Sequence, residues 1–161
     1  GRAVHGVLQL VDLEAPGRGL DALVAEQSAA EDVPDRLVDY VGRLVRSVLA
    51  GDVFARMAAA SATTTVRREM YVGGEVGGEG VYGIIDAVWM HDGAFVLVDF
   101  KTDHALLPPD VLADRYRPQL QAYADALFAA TGIRVGEALL CVARPDGSPA
   151  LSIAVPVVVA V

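Results

Sequence analysis

The chain has 161 residues, 53% of them apolar and 21% charged, with a formal net charge of −8. That is enough for one domain burying roughly 68–70% of the surface its unfolded chain exposes, and it excludes a disulfide miniprotein, a disordered chain and a collagen-like one. Twenty-one acids against 13 bases argue against a module that grips nucleic acid with a broad basic face, so any such contact has to be local.

The apolar C-terminal stretch 155–161 is far short of the ~20 residues that cross a bilayer. No secretory leader pattern opens the sequence, and the single cysteine, Cys141, has no partner for an internal disulfide. The cytoplasm is the expected compartment, and one cysteine is too few for an iron–sulfur cluster.

Val4, Val7, Leu8 and Val11 repeat at the spacing of one helical face, which predicts a helix over 1–13. A start inside a helix suggests a piece of a longer protein. A short helix is predicted around Leu20 to Ala29 and a clearer one after Pro34, with Leu37, Tyr40, Val41, Leu44, Val45 and Val48 on one stripe until Gly51 stops it. Asp52 reads as the N-cap of a further helix through Ala60. The period then changes to two. Strands are predicted over Val66–Val72, Val81–Met90 and Ala94–Lys101, with the glycines from 73 to 80 as a turn and Asp92-Gly93 as a hairpin signal. A helix over Arg115–Thr131 and strands over Ala138–Ala143 and Leu151–Val155 complete an α/β domain with a central mixed sheet.

The hairpin supplies the most informative arithmetic. If Asp92 and Gly93 form a two-residue turn, facing residues sum to 185, so Asp86 lies opposite Asp99 and Lys101 opposite Ile84. Alternation places Tyr82, Ile84, Asp86, Val88 and Met90 on one face of the second strand and Ile85, Ala87 and Trp89 on the other. Both faces read as covered. Two acids set among apolar residues repel, and a hard divalent cation answers their need. Pairing with arginines, or a longer loop that shifts the register, answers it equally well.

The segments GIID (83–86), VLVDFKTD (96–103) and QLQAY (119–123), with GRAVH (1–5) at the start, resemble the PD-(D/E)xK nuclease superfamily. They are most similar to the RecB-like nuclease domain at the C-terminal end of bacterial helicase–nucleases of the AddA type. The resemblance runs to about Ala143. It implies a restriction-endonuclease-like α/β core in which His5, Asp86, Asp99 and the backbone carbonyl of Phe100 hold Mg²⁺ or Mn²⁺. It further implies Lys101 as the catalytic lysine, Glu69 as an accompanying catalytic acid, and Gln119 and Tyr123 as the helix pair that orients lysine and DNA. Read alone, His5 and Tyr123 fit ordinary partly buried positions as well, and Glu69 an ordinary strand-edge acid.

The chemistry wants these types. A cation held by carboxylates acidifies its water and polarises a phosphate oxygen, a neutral histidine adds a ligand without more negative charge, and a lysine stabilises developing charge. Lys101, Arg115 and Arg117 are the expected positive strip, with Arg67 and Arg68 if their strand borders the site. The resulting expectation is a single domain over 1–161, the C-terminal piece of a longer helicase–nuclease. It would cleave single-stranded DNA in double-strand-break end processing, with DNA and helicase domains as partners and no membrane. A catalytically silent domain with a structural or DNA-channel role is the alternative.

Overall fold

The structure, a computed structural model, describes residues 1–76, 79–102 and 107–158. Four helices come first: α1 (Arg2–Leu10), α2 (Leu20–Ala30), α3 (Asp35–Leu49) and α4 (Asp52–Ser61). They are followed by β1 (Arg67–Val76), β2 (Glu79–His91), β3 (Ala94–Lys101), α5 (Pro109–Thr131), β4 (Val135–Val142) and β5 (Leu151–Ala154). The five strands form one sheet in sequence order. All neighbours are antiparallel except β3 and β4, which run parallel. A parallel pair needs a long crossover, and α5 provides it.

The expected α/β architecture is therefore found, and β3 has the predicted bounds. Asp92 (φ 47°) and Gly93 (φ 75°) both take positive φ, as a type I′ hairpin turn requires. His91 pairs with Ala94 and Ala87 with Val98, the predicted register.

Two apolar layers sandwich the sheet. Val4, Val7 and Leu8 of α1, Val45 and Val48 of α3 and Met57 of α4 pack with Ala87, Trp89, Val98 and Phe100 on one side. Leu112, Leu120 and Leu127 of α5 pack with Val88, Leu97 and Leu140 on the other. Both faces of β3 are buried, consistent with its unbroken apolar run.

The alternation of β1 and β2 does not continue through their full length. Ile85 packs in the α5 layer together with Val88, although the two are three residues apart, while Ala87 packs in the α1 layer. In β1, Val66 packs against the α1 layer, but Met70 and Val72 pack against the α5 layer. The faces exchange at Glu69, whose φ of 51° lies in the left-handed region. Glu69 and Asp86 are the pair missing from a ladder that reads Arg68↔Ala87 and then Met70↔Ile85. No residue is inserted, so the register holds while the ribbon turns over. The predicted single face from Tyr82 to Met90 is corrected accordingly. Past Asp86 that face is not covered: Tyr82 is 84% and Ile84 37% exposed.

Other boundaries differ for identifiable reasons. The glycine-rich segment is largely paired strand rather than turn, with Gly73↔Tyr82 and Glu75↔Gly80 in the ladder. Helix α5 starts six residues before Arg115, because Pro109 at its first turn needs no N–H partner, and it runs through Pro118. Leu37 and Tyr40 lie off the buried stripe of α3. Gly51, not Asp52, caps α4, and Asp52 makes no capping bond. Asp103 and His104 lie outside the described residues. Among the described residues no helix is long and apolar enough to cross a membrane.

Candidate active site

The site lies where β2 and β3 part. Their ladder ends at Ala87↔Val98, one pair short of Asp86 and Asp99. In place of the next bond, the Phe100 N–H donates to Asp86 Oδ2 at 2.6 Å. A side chain has taken over a backbone acceptor's role, which holds the Asp86 carboxylate inside the gap. The N–H and C=O of one strand residue point to the same edge, so the Phe100 carbonyl also faces this gap. Lys101 C=O turns the other way and accepts from Ala143 N.

Helix α1 brings His5 to the gap and is tied at both ends. At its start, Gly1 lies against Thr102, whose Oγ1 would be 3.6 Å from a Cβ placed there. Near its end, Arg68 Nη1 donates to the carbonyls of Leu8 (3.0 Å) and Val11 (2.7 Å), groups that have no partner inside the helix. Between these ties Val4, Val7 and Leu8 are buried. His5 is left half-buried with its ring edge-on to Phe100 at 6.4 Å.

His5 Nδ1 stands 3.2 Å from Asp86 Oδ1 and 3.6 Å from Glu69 Oε1. Ligand atoms of these three residues all lie within 4.8 Å of one another. Glu69 reaches this cluster from the left-handed turn in β1. Asp99 is turned elsewhere: its buried Oδ2 is 2.7 Å from Lys101 Nζ. The structure thus brings His5, Asp86 and Glu69 together and sets Asp99 with Lys101 beside them.

Charge in this pocket is short on the positive side. Burial, and then the charge of Asp86, push the Asp99 carboxyl up to about 6, with Lys101 and His5 opposing. Burial and Asp86 also raise Glu69. Burial works against the His5 cation, but the contact with Asp86 and the charges of Asp86, Glu69 and Asp99 outweigh it and raise its pKa. Two carboxyls made harder to ionise by burial and by Asp86, in an oxygen-rich donor set with one imidazole, fit a hard divalent cation.

Lys101 is held on three sides. Besides Asp99, its Nζ donates to Gln119 Oε1 at 3.4 Å and sits 4.2 Å from the ring centroid of Tyr116. Gln119 Nε2 donates in turn to Tyr123 Oη at 3.0 Å. Tyr123 comes this close to the sheet because Gly83 has no side chain: a Cβ there would lie 2.9 Å from Oη. Sequence reasoning missed Tyr116. Its spacing of three from Gln119 puts it on the same helical side, and that is the signal that could have found it.

The expected positive strip is mostly engaged. Arg117 Nη2 pairs with Asp114 at 2.7 Å, Arg68 is committed to α1, and Arg115 lies 5.8 Å from the Tyr116 ring.

Residues 1–152 match the PD-(D/E)XK nuclease superfamily. The chain belongs to that superfamily, as its motifs implied. It is 36% identical over 156 residues to an ATP-dependent helicase/nuclease subunit from Desulforudis audaxviator, covering 87% of this chain and 13% of that protein. It is 33% identical over 138 residues to a protein of the same description from Streptococcus suis, covering 79% of this chain and 10% of that protein. The chain therefore spans about a tenth of these relatives' length. In fold it is similar to a candidate exonuclease of known structure from Eubacterium rectale, with a TM-score of 0.60, 13% identity, and coverage of 87% of this chain and 57% of that one.

Proposed function

We propose that this chain is the metal-dependent nuclease domain of a cytoplasmic helicase–nuclease, hydrolysing phosphodiester bonds of single-stranded DNA in double-strand-break end processing and recombinational repair. The observation that carries this reading is the convergence of Asp86, Glu69 and His5 beside the Asp99–Lys101 pair. Structural acids are seldom gathered three together with so little positive charge, because each raises the cost of ionising the next.

Asp86, Glu69 and His5 would hold Mg²⁺ or Mn²⁺, with Asp99 and the Phe100 carbonyl completing the donors at the gap. A bound divalent cation supplies an acidified water and a polarised phosphate oxygen. The chain's own residues do the positioning. Lys101 presents a fixed positive charge toward the gap, where it can stabilise a pentavalent phosphorus carrying extra negative charge. Gln119, itself donating to Tyr123, accepts from the ammonium on the α5 side, so little reorganisation is left for the moment of reaction. Buried Asp99 holds the Lys101 ammonium close, at 2.7 Å.

Calorimetric titration with Mg²⁺ and Mn²⁺, paired with single-turnover cleavage of a labelled oligonucleotide, tests the reading. Asp86→Asn should abolish tight metal binding. Lys101→Ala should lower cleavage about 10²–10³-fold with metal affinity retained. Wild-type protein that binds neither ion and leaves the oligonucleotide intact would instead favour the silent, structural role.

A further inference from the structure

We propose that Tyr71 and Tyr82 form a stacking platform that takes the bases of single-stranded nucleic acid and leads the strand to the carboxylate cluster. The inference rests on the nuclease reading for its choice of ligand. It begins with the turnover at Glu69. Because the ribbon flips there, Met70, Val72 and Ile85 go to the α5 layer, and Tyr71, Tyr82 and Ile84 come to the side of the sheet on which α1 lies. Among the described residues no helix covers them: Tyr71 is 82% and Tyr82 84% exposed.

Tyr71 pairs with Ile84, and Tyr82 with Gly73. The tyrosines therefore occupy diagonal positions on one face, about 7–8 Å apart. The Tyr82 ring leans over Gly80, where a Cβ would come within 3.1 Å of it. Tyr82, Ile84 and Asp86 make one line along β2, so the outer tyrosine is about 13 Å from the acid. Ile84, 37% exposed, is the residue between Tyr82 and Asp86 on that line.

The neighbouring carboxylate cluster sets the occupant, and charge supplies little of the grip. The protein is acidic overall, and near the site Lys101, Arg68 and Arg117 are already paired. Phosphate neutralisation alone gives such a surface little grip. Stacking on aromatic faces is indifferent to net charge and tolerates any base. It requires unpaired bases, so single strands are favoured over duplex.

The test measures binding of a fluorescein-labelled oligothymidylate by anisotropy, using the full 161-residue chain with Ca²⁺ replacing Mg²⁺. Tyr71→Ala and Tyr82→Ala should each weaken binding about tenfold, within the range of a base–aromatic stack. Tyr71→Phe and Tyr82→Phe should stay within about twofold of wild type, since the ring is kept. An abasic strand of equal length should bind wild type as weakly as oligothymidylate binds the double alanine variant. Alanine variants that bind like wild type, or an abasic strand that binds as well as oligothymidylate, overturn the platform. So does a tyrosine-dependent change in sedimentation without a change in DNA affinity, which would make the face a protein contact. Wild-type cleavage in Mg²⁺ or Mn²⁺ is scored in parallel. Cleavage with tyrosine-independent binding sinks the platform alone. Tyrosine-dependent binding without cleavage sinks only the nuclease reading.

Discussion

Glu69 and Asp86 face each other across β1 and β2 at the one place where that ladder is interrupted, and both carboxylates turn there toward His5. The interruption keeps register and reverses faces. A glutamate with φ of 51° is costly, since left-handed backbone disfavours side chains by roughly 1–2 kcal/mol. The acid cluster adds repulsion to that strain. Backbone strain held by its surroundings concentrates where function needs it.

Glu69→Gly should therefore stabilise the metal-free domain, by about 1 kcal/mol from the backbone alone, while weakening Mn²⁺ binding at least tenfold. Urea melts in chelator and calorimetric titration measure the two halves. A variant less stable than wild type would mean that the glutamate side chain supports the fold.

Stability in chelator should fall as pH rises. Asp99 has its pKa raised from 3.8 to about 6 in the folded protein, so the native state binds more protons than the unfolded chain between those values. Its favourable contribution is complete below about pH 4 and is lost through pH 6, about 3 kcal/mol in all. The raised pKa of His5 acts in the same direction at higher pH. Asp99→Asn should remove most of the slope between pH 4 and 6. Equal slopes for both proteins in urea titrations would show that Asp99 is not the group responsible.

Tyr116 gives Lys101 an aromatic wall at 4.2 Å. A desolvated cation–π contact is worth roughly 0.5–2 kcal/mol, so Tyr116→Leu should lower single-turnover cleavage about 2- to 30-fold at saturating DNA. Tyr116→Phe keeps the ring face and should recover most of the rate. If phenylalanine fails as badly as leucine, the hydroxyl rather than the ring face matters.

Gly83→Ala should displace Tyr123, because the new methyl would stand 3.0 Å from Cζ of its ring. Overpacking of this kind costs about 1–3 kcal/mol, read as a lower melting temperature. The Gln119–Tyr123 hydrogen bond should loosen with it, and cleavage should fall further than the loss of folded protein explains. Unchanged melting would show that α5 can retreat freely from the sheet.

The sequence by itself determined the parts that local chemistry controls. Asp92-Gly93 specifies a turn with positive φ at both residues, and the register of β2 against β3 follows by counting. The apolar run of β3 reads as a strand buried on both faces, and the motif residues Asp86, Asp99, Lys101, Gln119 and Tyr123 stand out by type and spacing. Tertiary structure decided the rest. Nothing in the residue type of Glu69 announces a left-handed backbone, because glutamate has no preference for it, so strict alternation was extended through Asp86 and put Tyr82 and Ile84 on a covered face. The surrounding layers impose the reversal: Met70, Val72 and Ile85 gain burial under α5, and the two acids gain His5. Likewise, the counting put Asp86 opposite Asp99 but could not show the strands parting there, since that depends on Phe100 N–H finding a carboxylate. The tie of α1 to Arg68, through Leu8 and Val11, and of Lys101 to Tyr116 joins residues 60, 57 and 15 positions apart, and only the packed layers bring such distant groups within reach.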